Sequence, residues 1–191
     1  IKKFVNLTKK KFNTIDVLVN CAGLQHVAPI CKFSDKTWDY IININLKTPF
    51  KMTKEVLPIM RKNNWGRIIN ISSVHGAIAS QFKAAYVSSK HGLVGLTKVV
   101  ALETAKENIT CNAIAPGFVD TELVKKQIKK ISKQKKISFQ KASNSLIKEK
   151  HPSMNFIKKN DVSSLAFYLT TNEASQITGS NLIIDGGWTA Q

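Results

Sequence analysis

Residues 66–100 read "GRIINISSVHGAIASQFKAAYVSSKHGLVGLTKVV", and a strand pattern gives way to a helix pattern within them. Gly66 opens an apolar run, Ile68, Ile69 and Ile71, that ends in Ser72 and Ser73, as a buried parallel strand does. From about Ala84 to Ala105 small and apolar residues recur as in a long buried helix. Tyr86 and Lys90 stand at i and i+4 on that helix, so phenol and ammonium share a face. An isolated pair of this kind is ordinarily a contact on a solvated face. The other reading is catalytic: a free phenol titrates near ~10, and a neighbouring cation that lowers this brings it into the range of acid–base work. The rest of the chain has to decide.

Working outward, the same alternation recurs. "IDVLVNCAG" (15–23) is an apolar run closed by Gly23, "ITCNAIAPG" (109–117) a run closed by Pro116 and Gly117, and "SNLIIDGG" (180–187) a last strand. Between the first two strands, Ser34 is a plausible N-cap for a helix carrying Trp38, Ile41, Ile42 and Leu46. Residues 121–150 are lysine-rich and amphipathic. Their Leu123, Ile128, Ile131, Ile137, Leu146 and Ile147 predict helices over a cleft. "NDVSSLAFYLTT" (160–171) reads as a capped helix. Strands alternating with helices predict an α/β fold, a parallel sheet covered on both faces. Ligands of such sheets bind beyond the carboxyl ends of the strands. Those ends hold "NCAG" (20–23), "SSVHG" (72–76) and "PGFVDT" (116–121). Gly23 and Gly117 would admit a flat cofactor close to the backbone.

Composition narrows the function classes. Three cysteines, Cys21, Cys31 and Cys111, form no CxxC, and four histidines show no zinc-ligand spacing, so no metal site is expected. Free thiols suit a reducing, cytoplasmic compartment. No apolar run approaches the ~18 residues of a membrane span. The outlier is charge: 29 Lys and Arg against 12 Asp and Glu, a formal +17. The basic residues are spread widely, Phe139 is the only aromatic among those between Lys125 and Lys150, and no nucleic-acid motif is visible. Lysines that solvate the fold explain the charge better than a specific nucleic-acid partner does, with attraction of anionic substrates as a secondary effect.

Asn45, Ser73, Tyr86 and Lys90, in that order, resemble the Asn–Ser–Tyr–Lys set of the short-chain dehydrogenase/reductase family. "NCAG" resembles its NNAG sequence, with Cys21 for the second Asn, and "PGFVDT" resembles its PGxxxT. The resemblance covers essentially the whole chain. "LQHVAPI", "NWGRIINISSVHG", "LVKKQI" and "DGGWTAQ" are similar to the branch of that family acting on D-3-hydroxybutyrate. The resemblance implies a Rossmann-like doubly wound parallel sheet, NAD as cofactor and a homotetramer. It implies a catalytic set of Asn45, Ser73, Tyr86 and Lys90, with Lys90 lowering the pKa of Tyr86 and Asn45 holding a water that links Lys90 to solvent. It implies a substrate carboxylate held by Gln25, His75, Lys83 and Gln127, with Phe118 and Trp188 closing the pocket. Phe118 stands where the branch usually has Trp and lacks the indole N–H. Cofactor contacts are implied at Asn20, Ala22, Gly23, Tyr86, Lys90, Pro116, Gly117, Val119 and Thr121.

The residues suit this chemistry: a carboxylate taken from water needs a cation and further donors, and Lys83 falls near a helix start, where the macrodipole also favours an anion. The family opens with a strand and a glycine-rich TGxxxGxG turn that binds pyrophosphate. This sequence starts after both, so residues 1–191 are expected to be the C-terminal two-thirds of one Rossmann-like domain, with a helical lid at about 121–150 and an exposed sheet edge. Two rivals stand beside this reading. A 3-ketoacyl-carrier-protein reductase would use the positive face for an acidic partner. A catalytically dead basic protein would bind nucleic acid.

Overall fold

A computed structural model describes residues 1–190. Four parallel strands, β1 (Val17–Asn20), β2 (Gly66–Ile71), β3 (Ile109–Pro116) and β4 (Asn181–Ile184), lie side by side in chain order. Ile68 pairs with Leu18 on one side and Cys111 on the other, so the central strands β2 and β3 carry the ladder. All eight residues of β3 are buried, as an apolar run without alternation implies.

Alternation along β2 and β3 divides the core. Ile68, Ile109 and Cys111 face α1 (Lys2–Phe12), α3 (Thr48–Lys62) and α4 (Ala84–Glu103), which supply Val5, Val56, Met60 and Val100. Ile69 and Ile114 face the other way, toward Val162, Leu165 and Leu169 of α7 (Lys159–Tyr168) and its C-cap. The expected cover on both faces is met over the central strands and fails at β1. Val17 and Val19 remain 39% and 46% exposed, and the apolar cluster on that side spans β2 to β4 without them. The exposed edge is also there: β1 pairs on one side only.

Ser34 caps α2 (Asp35–Ile42), its hydroxyl accepting from the Thr37 N–H at 3.3 Å. The chain then widens into a π-helical turn at Asn43–Lys47 before α3 resumes. α1 was not anticipated from "KKFVNLTKKKF": only Val5 of it is buried, and Phe4, Leu7 and Phe12 are exposed. The lysine-rich segment folds as α5 (Glu122–Lys135) and α6 (Phe139–Lys150). Val124 and Ile128 of α5 pack with Leu146 and Ile147 of α6 onto Phe118 and Trp188, beyond the strand ends. No helix among the described residues is long and apolar enough to cross a membrane.

Two glycines test this packing from opposite sides. A Cβ on Gly66 would lie 2.5–2.8 Å from three atoms of the Met60 side chain, itself fully buried. Gly66→Ala should therefore cost about 1–3 kcal/mol. A Cβ on Gly95, inside α4, meets nothing within 4 Å, so Gly95→Ala should gain up to about 1 kcal/mol from helix propensity. Urea midpoints of the two variants check both signs.

Candidate active site

The carboxyl ends of the strands converge where expected. Ser73 follows β2 and caps a short 3-10 turn, its Oγ accepting from the His75 N–H at 3.2 Å. Lys83 is the N-cap residue of α4, and Tyr86 and Lys90 follow on that helix. The loop after β1 brings Gln25, β3 ends at Gly117–Phe118, α5 brings Gln127, and the C-terminal turn brings Trp188. Gln25, His75, Lys83, Gln127, Phe118 and Trp188, the residues singled out for substrate, line one pocket together with Ser73 and Tyr86. The pocket is partly open to solvent, and no acidic residue lines it. Leu123 and Val124 also line it. Their helical spacing from Gln127 was the signal that would have placed them there.

The electrostatics are set by burial. Lys83 is 8% exposed and its ammonium has no carboxylate partner among the described residues. Burial first, then the charge of Lys150, pulls its pKa down to about 8. Lys150, which the sequence reading passed over, ends α6 with its ammonium 6.0 Å from the centre of the Trp188 ring. His75 is depressed to about 3, by burial and then by Lys83, His91 and Lys150, and so is neutral. Its Nε2 lies 2.8 Å from Ser80 Oγ and its Nδ1 3.4 Å from Ser73 Oγ. The ring is held without a carboxylate partner.

Tyr86 and Lys90 stand one turn apart on α4, as their spacing implied. Lys90, 3% exposed, donates to the carbonyl oxygen of Ile71 at 2.7 Å. Its ammonium is 5.7 Å from the centre of the Tyr86 ring. Burial raises the Tyr86 phenol, and only contact with the Ser73 hydroxyl acts to lower it. One N–H of the Lys90 ammonium goes to that main-chain carbonyl, and the cation still lies beside the phenol ring. Lys90 itself is depressed to about 8 by burial, with Cys21 acting in the opposite direction.

Asn45 sits in the π-helical turn. Its amide donates to the Leu24 carbonyl (2.9 Å) and to Ser89 Oγ (3.0 Å), and its oxygen accepts from the Leu24 N–H (2.8 Å). Bent backbone and protein partners, rather than an apolar helix face, satisfy it. A Cβ on Gly23 would lie 3.7 Å from Lys90 Nζ and 3.8 Å from Asn45 Oδ1, so Gly23 opens a shelf in front of both. Of the other residues expected at a cofactor, Asn20 turns inward, donating to Asn70 Oδ1 at 2.8 Å. Val119 bridges to Ile157, and the Thr121 hydroxyl donates to the Val119 carbonyl at 3.2 Å. Ala22, Gly23, Pro116 and Gly117 line up at the ends of β1 and β3.

A parallel sheet with a Ser–Tyr–Lys cluster beyond its carboxyl ends defines a Rossmann-like dehydrogenase. A family model described as enoyl-(acyl carrier protein) reductase matches residues 1–189. The chain is 45% identical over all 191 residues to D-beta-hydroxybutyrate dehydrogenase of Cupriavidus necator, covering 74% of it, and equally to that of Rhizobium meliloti. A 3-oxoacyl-(acyl-carrier-protein) reductase of Thermotoga maritima is 36% identical over 187 residues, 98% of this chain and 71% of that protein. Among solved structures, a 4-hydroxyisoleucine dehydrogenase mutant complexed with NADH and succinate matches with TM-score 0.87 at 36% identity, over 98% of this chain and 73% of that one. The actinorhodin polyketide ketoreductase with NADPH matches with TM-score 0.94 at 30% identity, over 100% and 73%. The chain belongs to the short-chain dehydrogenase/reductase family and is an oxidoreductase of that type.

Depressed pKa values carry a stability cost with a definite sign. Lys83 and Lys90 titrate at about 8 in the fold against 10.5 ordinarily. Between those values the unfolded chain holds more protons, so stability should rise with pH across that window. His75, at about 3 against 6.5, makes stability fall as pH drops below 6.5 by the same rule. Lys83→Met removes one buried charge and keeps the stem. It should stabilise the fold by about 1–3 kcal/mol at pH 7 and flatten the rise above pH 8. Thermal melts across pH for both proteins check this.

Proposed function

We propose that this chain interconverts D-3-hydroxybutyrate and acetoacetate with NAD. The observation that carries the reading is the pocket itself. Lys83, an ammonium buried without a counter-charge, stands with Gln25, Gln127 and neutral His75 in one cavity with the hydroxyls of Ser73 and Tyr86. A short acid with its oxygen between Ser73 and Tyr86 brings its carboxylate to the cation, and Phe118 and Trp188 bound its length. The 45% identity to proteins named for this substrate supports the choice.

The residues present fit the nicotinamide half of the cofactor. Lys90 has spent one of its three N–H donors on Ile71 and faces the open shelf at Gly23. Lys90 would hold the nicotinamide ribose there, with Ala22, Gly23, Pro116, Gly117, Val119 and Thr121 forming the walls. NAD supplies the hydride acceptor for oxidation. The choice of NAD leans on likeness to the NADH-bound 4-hydroxyisoleucine dehydrogenase. Tyr86 takes the hydroxyl proton during oxidation and returns it during reduction, with Ser73 hydrogen-bonding the same oxygen. Because burial raises the phenol in the free protein, the phenolate form depends on charge brought into the site. Asn45 anchors the Leu24 backbone beside Gln25 and joins it to Ser89 on α4. α5 and α6 act as the lid, carrying Gln127 to the carboxylate.

Two substitutions test separate parts of this account. Tyr86→Phe removes one hydroxyl and should reduce turnover to below a few per cent with the fold intact. Retention of more would reject Tyr86 as the acid–base group. Lys83→Met should lower kcat/KM for 3-hydroxybutyrate roughly ten- to a hundred-fold, the loss of a charge-assisted contact. Its methyl ester should lose far less. Equal losses on acid and ester would remove Lys83 as the carboxylate anchor and return the carrier-protein thioester to contention.

A further inference from the structure

We propose that His151 is a positioning residue for the pocket, holding the Phe118 backbone and the Phe118–Trp188 wall from behind. The role rests on reading that pocket as the substrate site. His151 closes α6 and is fully buried, 0% exposed. Its Nε2 accepts the Phe118 N–H at 3.0 Å, so that nitrogen carries no proton. Its Nδ1 lies 2.9 Å from the Asn155 carbonyl oxygen, so the proton is there and donates. The two contacts select one neutral tautomer.

The same ring is a packing hub. It stacks on Phe118 with centres 5.5 Å apart and planes at 15°, and lies 5.7 Å from Trp188; those two rings are 4.9 Å apart. Both strand ends close on it. A Cβ on Gly117, after β3, would come within 2.6 Å of Nε2, and one on Gly186, after β4, within 3.2 Å of Nδ1. One imidazole therefore ties the lid helix α6 to the turns that carry the Phe118–Trp188 wall. An apolar side chain of similar size would fill the space yet leave the Phe118 N–H buried and unpaired. Glutamine keeps an acceptor and a donor at comparable reach.

The experiment compares His151→Leu and His151→Gln with the unaltered protein. It reads KM for 3-hydroxybutyrate, affinity for NAD, and hydrogen exchange of the Phe118 amide. His151→Leu should raise KM about tenfold or more, the scale of one unpaired buried donor, while NAD affinity stays within about twofold. Phe118 amide exchange should speed up in parallel, and His151→Gln should restore both readings. A folded His151→Leu with unchanged KM and exchange would overturn the role. So would a His151→Gln no better than His151→Leu. If His151→Leu does not fold, His151→Gln decides: protection of the Phe118 amide supports the role, and its loss in a folded protein overturns it. Failure of the unaltered protein to turn over 3-hydroxybutyrate would instead sink the substrate assignment, and the exchange readings would still judge His151.

Discussion

Lys90 on α4 and Lys83 at its N-cap are buried without a carboxylate to meet them, and the site is built around that constraint. A buried ammonium is costly unless it is paired or deprotonated. Lys90 offsets its cost by donating to the Ile71 carbonyl at the end of β2, which locks helix to sheet. Lys83 has no such partner among the described residues, and Lys150 adds a like charge nearby. Nothing in the pocket lining neutralises it. Negative charge is therefore favoured at the N-terminus of α4, where the helix dipole also disfavours a cation and favours an anion. Stability given up there is the ordinary signature of a functional position.

The scaffold was legible where one face or one period dominated. β2 and β3 are apolar runs without alternation, and both are buried strands. Ser34 capped its helix as its position before an apolar repeat implied. The six pocket residues named from the family resemblance fall in one cavity, although they come from six separate parts of the chain. α1 carries a helical repeat in Phe4, Val5, Leu7 and Phe12 that went unread among its five lysines, and only Val5 of it is buried. The open face of β1 was missed because sequence gives a strand's pattern but not the number of helices that cover it.

What sequence could not supply was direction. Spacing put Tyr86 and Lys90 on one helix face, yet gave no sign that the ammonium beside the phenol ring also reaches the Ile71 carbonyl. Asn45 looked misplaced in an apolar helix, and the π-helical turn that lets its amide meet Leu24 and Ser89 is a tertiary accommodation. In sequence, Lys150 and His151 are only the end of a lysine-rich segment. They gain meaning only when α6 folds back on Trp188 and Phe118. The formal +17 of the chain is likewise mostly a surface property, and the charge that matters to the pocket is Lys83 with its neighbour Lys150.

The protonation of Lys83 decides whether this pocket takes a carboxylate, and it can be followed directly by NMR titration of the side-chain amine. Without ligand, the midpoint should lie near 8 rather than 10.5. With NAD and acetoacetate present, the carboxylate should raise it by about one unit or more, since an adjacent opposite charge favours the ammonium. A midpoint at the ordinary value in the free protein, or one that the ligands leave unmoved, would contradict the assignment of this pocket to a carboxylate.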